Sequence, residues 1–283
     1  MKAICFTAAL IFAGAIPGYC QAPHRSPASI FNSKPAFYLL AQDSTPIATS
    51  VINTAGGSPT IAPNTWLEIH GVNLAQTTMT WGTLPASSFS TSLPTSLGGV
   101  SATINNKPAA IYYISPTQIN VLAPIDTATG PVPVQVTTQY GKTTPLTPTE
   151  QSTSLGFLVI DVAGHVAAQH LDYSLLGPTS LDQPGYPFTP AKPGETVTVY
   201  ATGFGPTNPP ITNQLTGTGP LPSLPSVTIG GVPAFVRYAG LAGPGLYQFN
   251  IAVPLNAPSG DLTLSATYNG GRTQTGVVIT VQD

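Results

Sequence analysis

Four histidines, His24, His70, His165 and His170, and ten dispersed carboxylates are the side chains of this 283-residue chain most able to do chemistry. His165 and His170 stand five apart, a spacing that suits neither one face of a strand nor one turn of a helix. No cysteine completes a tetrahedral zinc set around them. Asp161 and Asp172 lie nearby in sequence, but the oxygens on offer fall short of what calcium takes. A surface turn accounts for these residues, and no metal is assigned. His70, between Ile69 and Gly71, reads as an exposed or capped histidine at a strand end. Hydrolysis of a glycosidic bond needs two carboxylates about 5–10 Å apart. Nothing in the sequence selects a pair from Asp43, Glu68, Asp126, Glu150, Asp161, Asp172, Asp182, Glu195, Asp261 and Asp283. A Gly-x-Ser-x-Gly elbow is absent. Gly203-Phe204-Gly205 runs into Pro206 with no helix to present its N-terminus to a phosphate. The sequence therefore offers no catalytic residue, no cofactor-binding residue and no cofactor.

Two amide pairs invite a binding role. Gln118 with Asn120, and Gln248 with Asn250, each share one face of a strand. A side-chain amide there can bond the backbone of a neighbouring loop and pin the strand before Pro124 or Pro254. It can instead contact a sugar or a peptide. The structural role is the one favoured, because equivalent positions in two copies suit a requirement of the fold and buried amides need partners. Among the aromatic residues, Trp81 in the loop 79–84 is the best candidate for a ligand contact. Alternation along a strand is expected to bury one of Tyr112 and Tyr113 and expose the other.

The elements that would carry these groups follow from composition and repetition. The chain has 31 prolines and 28 glycines, 42% hydrophobic residues and only 6% charged residues, against about 25% charged in an ordinary soluble protein. Turn residues falling between short apolar runs read as many short strands. Disorder is the competing reading of so much Pro and Gly, but runs rich in β-branched and aromatic residues need burial. Self-similarity is evident at three places. Residues 63–74 resemble 193–205, each a proline turn followed by alternation and ending at glycine with a large apolar side chain. Leu67 and Ile69 in one copy, and Val197 and Val199 in the other, should face the core. Gln118-Ile119-Asn120-Val121-Leu122-Ala123-Pro124 aligns without a gap to Gln248-Phe249-Asn250-Ile251-Ala252-Val253-Pro254. The hairpin turn Asn105-Asn106 corresponds to Gly230-Gly231, and 130–136 to 260–264. The second copy carries extra residues at 241–245. Each copy spans roughly 85–95 residues, the size of an immunoglobulin-like sandwich.

The fold class expected is all-β: two tandem immunoglobulin-like β-sandwiches with a Pro-rich connector, preceded by a signal peptide. Lys2, the apolar stretch 4–16 and small residues before Gln21 form the three parts of a secretory signal, which assigns 1–20 to that signal. Residues 21–50 read as a flexible lead-in, 51–149 and 191–283 as the two modules, and 150–190 as a connector with a hairpin. Cys5 and Cys20 both fall in the signal, so the mature chain would have no disulfide. Lipidation of Cys20 is disfavoured by the bulky Tyr19 beside it. No later stretch is long and apolar enough for a membrane helix. The net charge of −2 leaves no basic stripe for nucleic acid.

The combination Leu97-Gly98-Gly99-Val100, Tyr112-Tyr113-Ile114-Ser115-Pro116-Thr117-Gln118-Ile119-Asn120 and Tyr200-Ala201-Thr202-Gly203 resembles the Solibacter-type uncharacterised C-terminal domain, found in secreted proteins of soil bacteria. The segment 165–178 departs from it, where that family has a more polar turn. Each half also resembles an IPT/TIG module, an immunoglobulin-like unit of cell-surface receptors, adhesins and polysaccharide-active enzymes. These resemblances imply fold and export but no reaction. The expectation is a non-enzymatic protein, outside the cytoplasm or at the cell surface, acting as a surface or matrix interaction protein. The alternative is a carbohydrate-binding module beside a separate enzyme. Its partner would be an extracellular polysaccharide or a cell-surface protein.

Overall fold

The computed structural model describes residues 44–84, 92–211 and 217–283. The signal segment, most of the lead-in, and both cysteines lie outside the described residues. The first described strand, Ile47–Asn53, begins inside the stretch expected to be a flexible lead-in.

Two hydrophobic cores form, one for each copy of the repeat. The first gathers Leu67, Ile69, Ile111, Ile114, Ile119 and Val121. The second gathers Val197, Val199, Phe249, Ile251, Leu264 and Ile279. Alternation decides which side chains enter: Leu67 and Ile69 are fully buried, while Glu68 between them and His70 after them are only half-buried. The first sandwich pairs a five-stranded sheet, in which Trp66–Val72 lies between Ile47–Asn53 and Gln118–Leu122, with a second sheet built on Val100–Ile104 and Val134–Thr138. In the second sandwich one long strand, Val232–Gly243, serves both layers. Its start pairs with Ser226–Ile229 and its remainder with Leu246–Ala252, across a bulge between Val236 and Tyr238.

The repeat holds at the level of strand register. Glu68 faces Asn120 and His70 faces Gln118 in the first module. Thr198 faces Asn250 and Tyr200 faces Gln248 in the second. Tyr113 lies opposite Asn120 after a bulge, as Tyr238 lies opposite Asn250 after a bulge. A further equivalence escaped the sequence comparison. Thr143 and Thr273, both buried, accept backbone hydrogen bonds from Val136 and Ala266, at 3.1 and 3.0 Å.

The stretch 150–190 does more than connect. Gly156–Phe157, Ala168–His170, Leu175–Leu176 and Phe188–Thr189 are strands of the second sandwich's sheet. Leu155, Phe157, Val166, Ala168 and Leu176 enter its core. The apolar residues in this segment are what draw it in, since burying them is worth about 25 cal/mol per Å² of apolar surface.

Candidate functional site: the module junction and its aromatic cluster

The extra residues of the second copy have a structural use. The turn at Pro244-Gly245 reaches the first module, where the Pro244 carbonyl accepts a 2.8 Å hydrogen bond from Trp66 Nε1. Gly245 has φ +62°, and a Cβ there would lie 2.5 Å from Leu122 and 2.7 Å from the Trp66 ring. Only glycine suits both that backbone and that approach.

Polar groups complete the junction. Asn53 Nδ2 donates to the Ser154 carbonyl at 2.6 Å, and Ser154 Oγ donates to the Thr60 carbonyl at 2.8 Å. The Trp66 amide donates to Thr202 Oγ1 at 3.3 Å, and Asn64 Nδ2 to the Tyr247 hydroxyl at 3.2 Å. Tyr247, fully buried, in turn donates to the Gly205 carbonyl. Asn53, Asn64 and Thr202 are themselves buried. Buried polar groups satisfied across an interface specify one geometry, because any other leaves them unpaired.

Trp81, the candidate ligand contact, lies in the short turn Trp81–Thr83 and is half-buried. Its ring meets Tyr112 edge-on at 4.8 Å and Trp66 at 5.8 Å, and Trp66 and Tyr112 are 5.9 Å apart. It belongs to a three-ring cluster that adjoins the junction through Trp66. Tyr112 and Tyr113 are both half-buried. The expected alternation fails there because the strand is bulged between Ile111 and Tyr113, and a bulge re-aims side chains.

The amide pairs bond differently from the expectation. Gln118 Nε2 donates to Asn120 Oδ1 at 2.8 Å, and Gln248 Nε2 to Asn250 Oδ1 at 2.9 Å. Their partners are each other rather than loop backbone, since two residues on one strand face are the nearest polar neighbours available. Thr198 also donates to Asn250, at 3.3 Å.

The imidazoles and acids pair off separately. His70 Nε2 lies 2.9 Å from Glu68, and His170 Nδ1 lies 2.5 Å from Glu195. His165 Nδ1 lies 2.6 Å from Asp161 Oδ2, while Asp261 approaches its Nε2 to 3.3 Å without a hydrogen bond. Burial alone would lower the His165 pKa, but the hydrogen bond to Asp161 and the charge of Asp261 outweigh it and leave it raised. Among the described residues, no group of three or more His, Cys, Asp or Glu is placed to hold a metal ion. His24 lies outside the described residues.

Glu150 and Asp126 were not singled out by spacing. Asp126 accepts from Asn105 Nδ2 at 2.7 Å and from the Thr127 and Ala128 amides, and pairs with Lys107 at 3.3 Å. Burial works against its charge, but these donors prevail and hold the carboxyl at about 2. Glu150 is 1% exposed and neither carboxylate oxygen has a hydrogen-bond partner among the described residues. Burial first, and the nearby Asp126 second, push it up to about 7 against the opposing pull of Lys107.

Two cores, matched registers and a fitted junction define a protein of tandem immunoglobulin-like modules. Residues 51–150 match the IPT/TIG domain. No curated protein matches the chain. Among solved structures, it is similar to the Plexin A4 extracellular region (15% identity over 88% of this chain and 17% of that one, TM-score 0.27). It is also similar to SGBP-B of the Bacteroides ovatus mixed-linkage glucan utilization locus (12% identity, 86% and 47%, TM-score 0.35). A third is SGBP-B from a Bacteroides uniformis xyloglucan utilization locus (19% identity, 82% and 49%, TM-score 0.22). The chain spans less than half the length of each of these three. Among the described residues no helix is long and apolar enough to cross a membrane.

Proposed function

We propose that the chain is an exported, non-catalytic interaction protein of the cell surface or extracellular matrix. Its two modules, 51–149 and 191–283, present binding surfaces at a fixed spacing, with 150–190 folding onto the second. The observation that carries this reading is the junction. Asn53, Asn64, Trp66 and the Pro244-Gly245 turn commit polar groups to one mutual placement, which a spacer needs and independent domains on a linker do not. The separate pairing of His70, His165 and His170 with different acids argues against a shared catalytic centre. Cell fractionation of the full-length chain tests export: the protein should leave the cytoplasm with residues 1–20 removed and bind intact cells or matrix. Retention in the cytoplasm with Met1 in place would overturn it.

A second reading, a carbohydrate-binding module assisting a polysaccharide-degrading enzyme, is favoured by the half-buried rings of Trp81 and Tyr112, which pack edge-on at 4.8 Å over the buried Trp66. Aromatic faces stack on the apolar faces of sugars while hydroxyls and amides bond the rim. On this reading Trp81→Ala should abolish pull-down by an insoluble polysaccharide while leaving the thermal melt cooperative. Wild-type protein that no polysaccharide retains would remove it.

A further inference from the structure

Glu150 occupies an unusual position. The strand Thr149–Glu150 lies between Gly130–Pro131, to which it is antiparallel, and Thr60–Ile61, to which it is parallel. The next residue, Gln151, donates its amide to the Ile61 carbonyl at 2.9 Å, and the chain then enters the junction at Ser154. Thr60 is thus held from two sides, by this strand and by Ser154.

Among the described residues, the carboxyl of Glu150 has no donor to stabilise its charge. The charged groups that bear on it are Asp126 and Lys107. Lys107 is already engaged with Asp126 and with the Ile125 carbonyl, at 3.3 and 3.1 Å. Asp126, with its own donors, stays ionised and repels a second negative charge. Burying an unpaired carboxylate is costly, whereas burying a neutral carboxylic acid is far less so.

We propose that Glu150 is a proton-operated latch at the module junction: it is protonated while its strand is seated between Gly130–Pro131 and Thr60–Ile61, and it ionises when that strand opens. The sign follows from proton counting. A glutamate in the open segment has its ordinary value of 4.5, and in the seated strand it is pushed up to about 7. Between these values the open form binds fewer protons, so raising the pH favours opening, and the effect levels off above pH 7.

Amide hydrogen exchange of the full chain, corrected for the intrinsic pH dependence of exchange, reads the latch directly. Protection of the Gln151 amide, and of the Val132 amide that donates to the Pro148 carbonyl at 3.0 Å, should fall by roughly tenfold or more between pH 5 and pH 7.5. In Glu150→Gln it should stay level, because the amide is neutral throughout. Wild-type protection that does not change over this range, or a variant that changes as much as wild type, would overturn the proposal. If Glu150→Gln fails to fold, the carboxyl carbon shift of Glu150 in the wild-type chain decides. A midpoint near 7 supports the latch, and one in the ordinary glutamate range refutes it.

Discussion

His165 is the residue at which proximity in sequence and proximity in space part company. Asp161, four residues earlier, was legible as a neighbour, and its carboxylate receives both the His165 amide and the ring. Asp261 is brought to the other side of the ring by the pairing of the His165 segment with Val278, where Val166 donates to the Val278 carbonyl and Val278 to that of Gly164. No spacing rule announces a partner supplied through a parallel bridge. Because the fold favours the imidazolium, the stabilisation is fully present below the unfolded value near 6.5 and is lost as pH rises through the higher folded value. Urea midpoints should therefore fall between pH 7 and pH 9, and the upper half of that range lies above the one in which Glu150 contributes. His165→Gln should flatten that fall. An unchanged slope in the variant would show that the two aspartates do not hold the charge.

At the scale of elements, the turn at 241–245 shows how an insertion in one copy of a repeat acquires a role. Its position was visible in the sequence as unmatched residues, but its target was not, because Trp66 lies in the other copy. The strands themselves were legible: Leu67, Ile69, Val197 and Val199 sit in the cores that alternation assigns them. What period-two reasoning missed were the bulges at Tyr113 and Tyr238, since one unpaired residue resets the faces downstream. Within 150–190 it expected a hairpin but could not place the individual strands, which are two or three residues long and too short to display a period. Gly245→Val places a branched side chain against Trp66 and Leu122 in a left-handed backbone. Strain and overpacking together should cost about 2–4 kcal/mol at the junction. Calorimetry would register this as a lower Tm, with the single transition expected of the wild type splitting in two. A variant that melts as wild type does would mean that the turn is not seated on Trp66.

The whole molecule is a duplicated sandwich whose halves meet through buried hydrogen bonds, and the proposed spacer role requires that meeting to be constant. A low charge content limits long-range steering of partners, so the proposed spacer role relies on short-range contacts. Cys5 and Cys20 are the only cysteines, and a chain without them accepts a pair of spin labels at chosen sites. Labels at Ser101→Cys in the first module and Thr267→Cys in the second, measured by pulsed dipolar spectroscopy, report the separation of the two sandwiches. A single narrow distance distribution, broadened by Gly245→Val, is the result expected of a locked junction. A broad or multiply peaked distribution in the otherwise unaltered chain would contradict it.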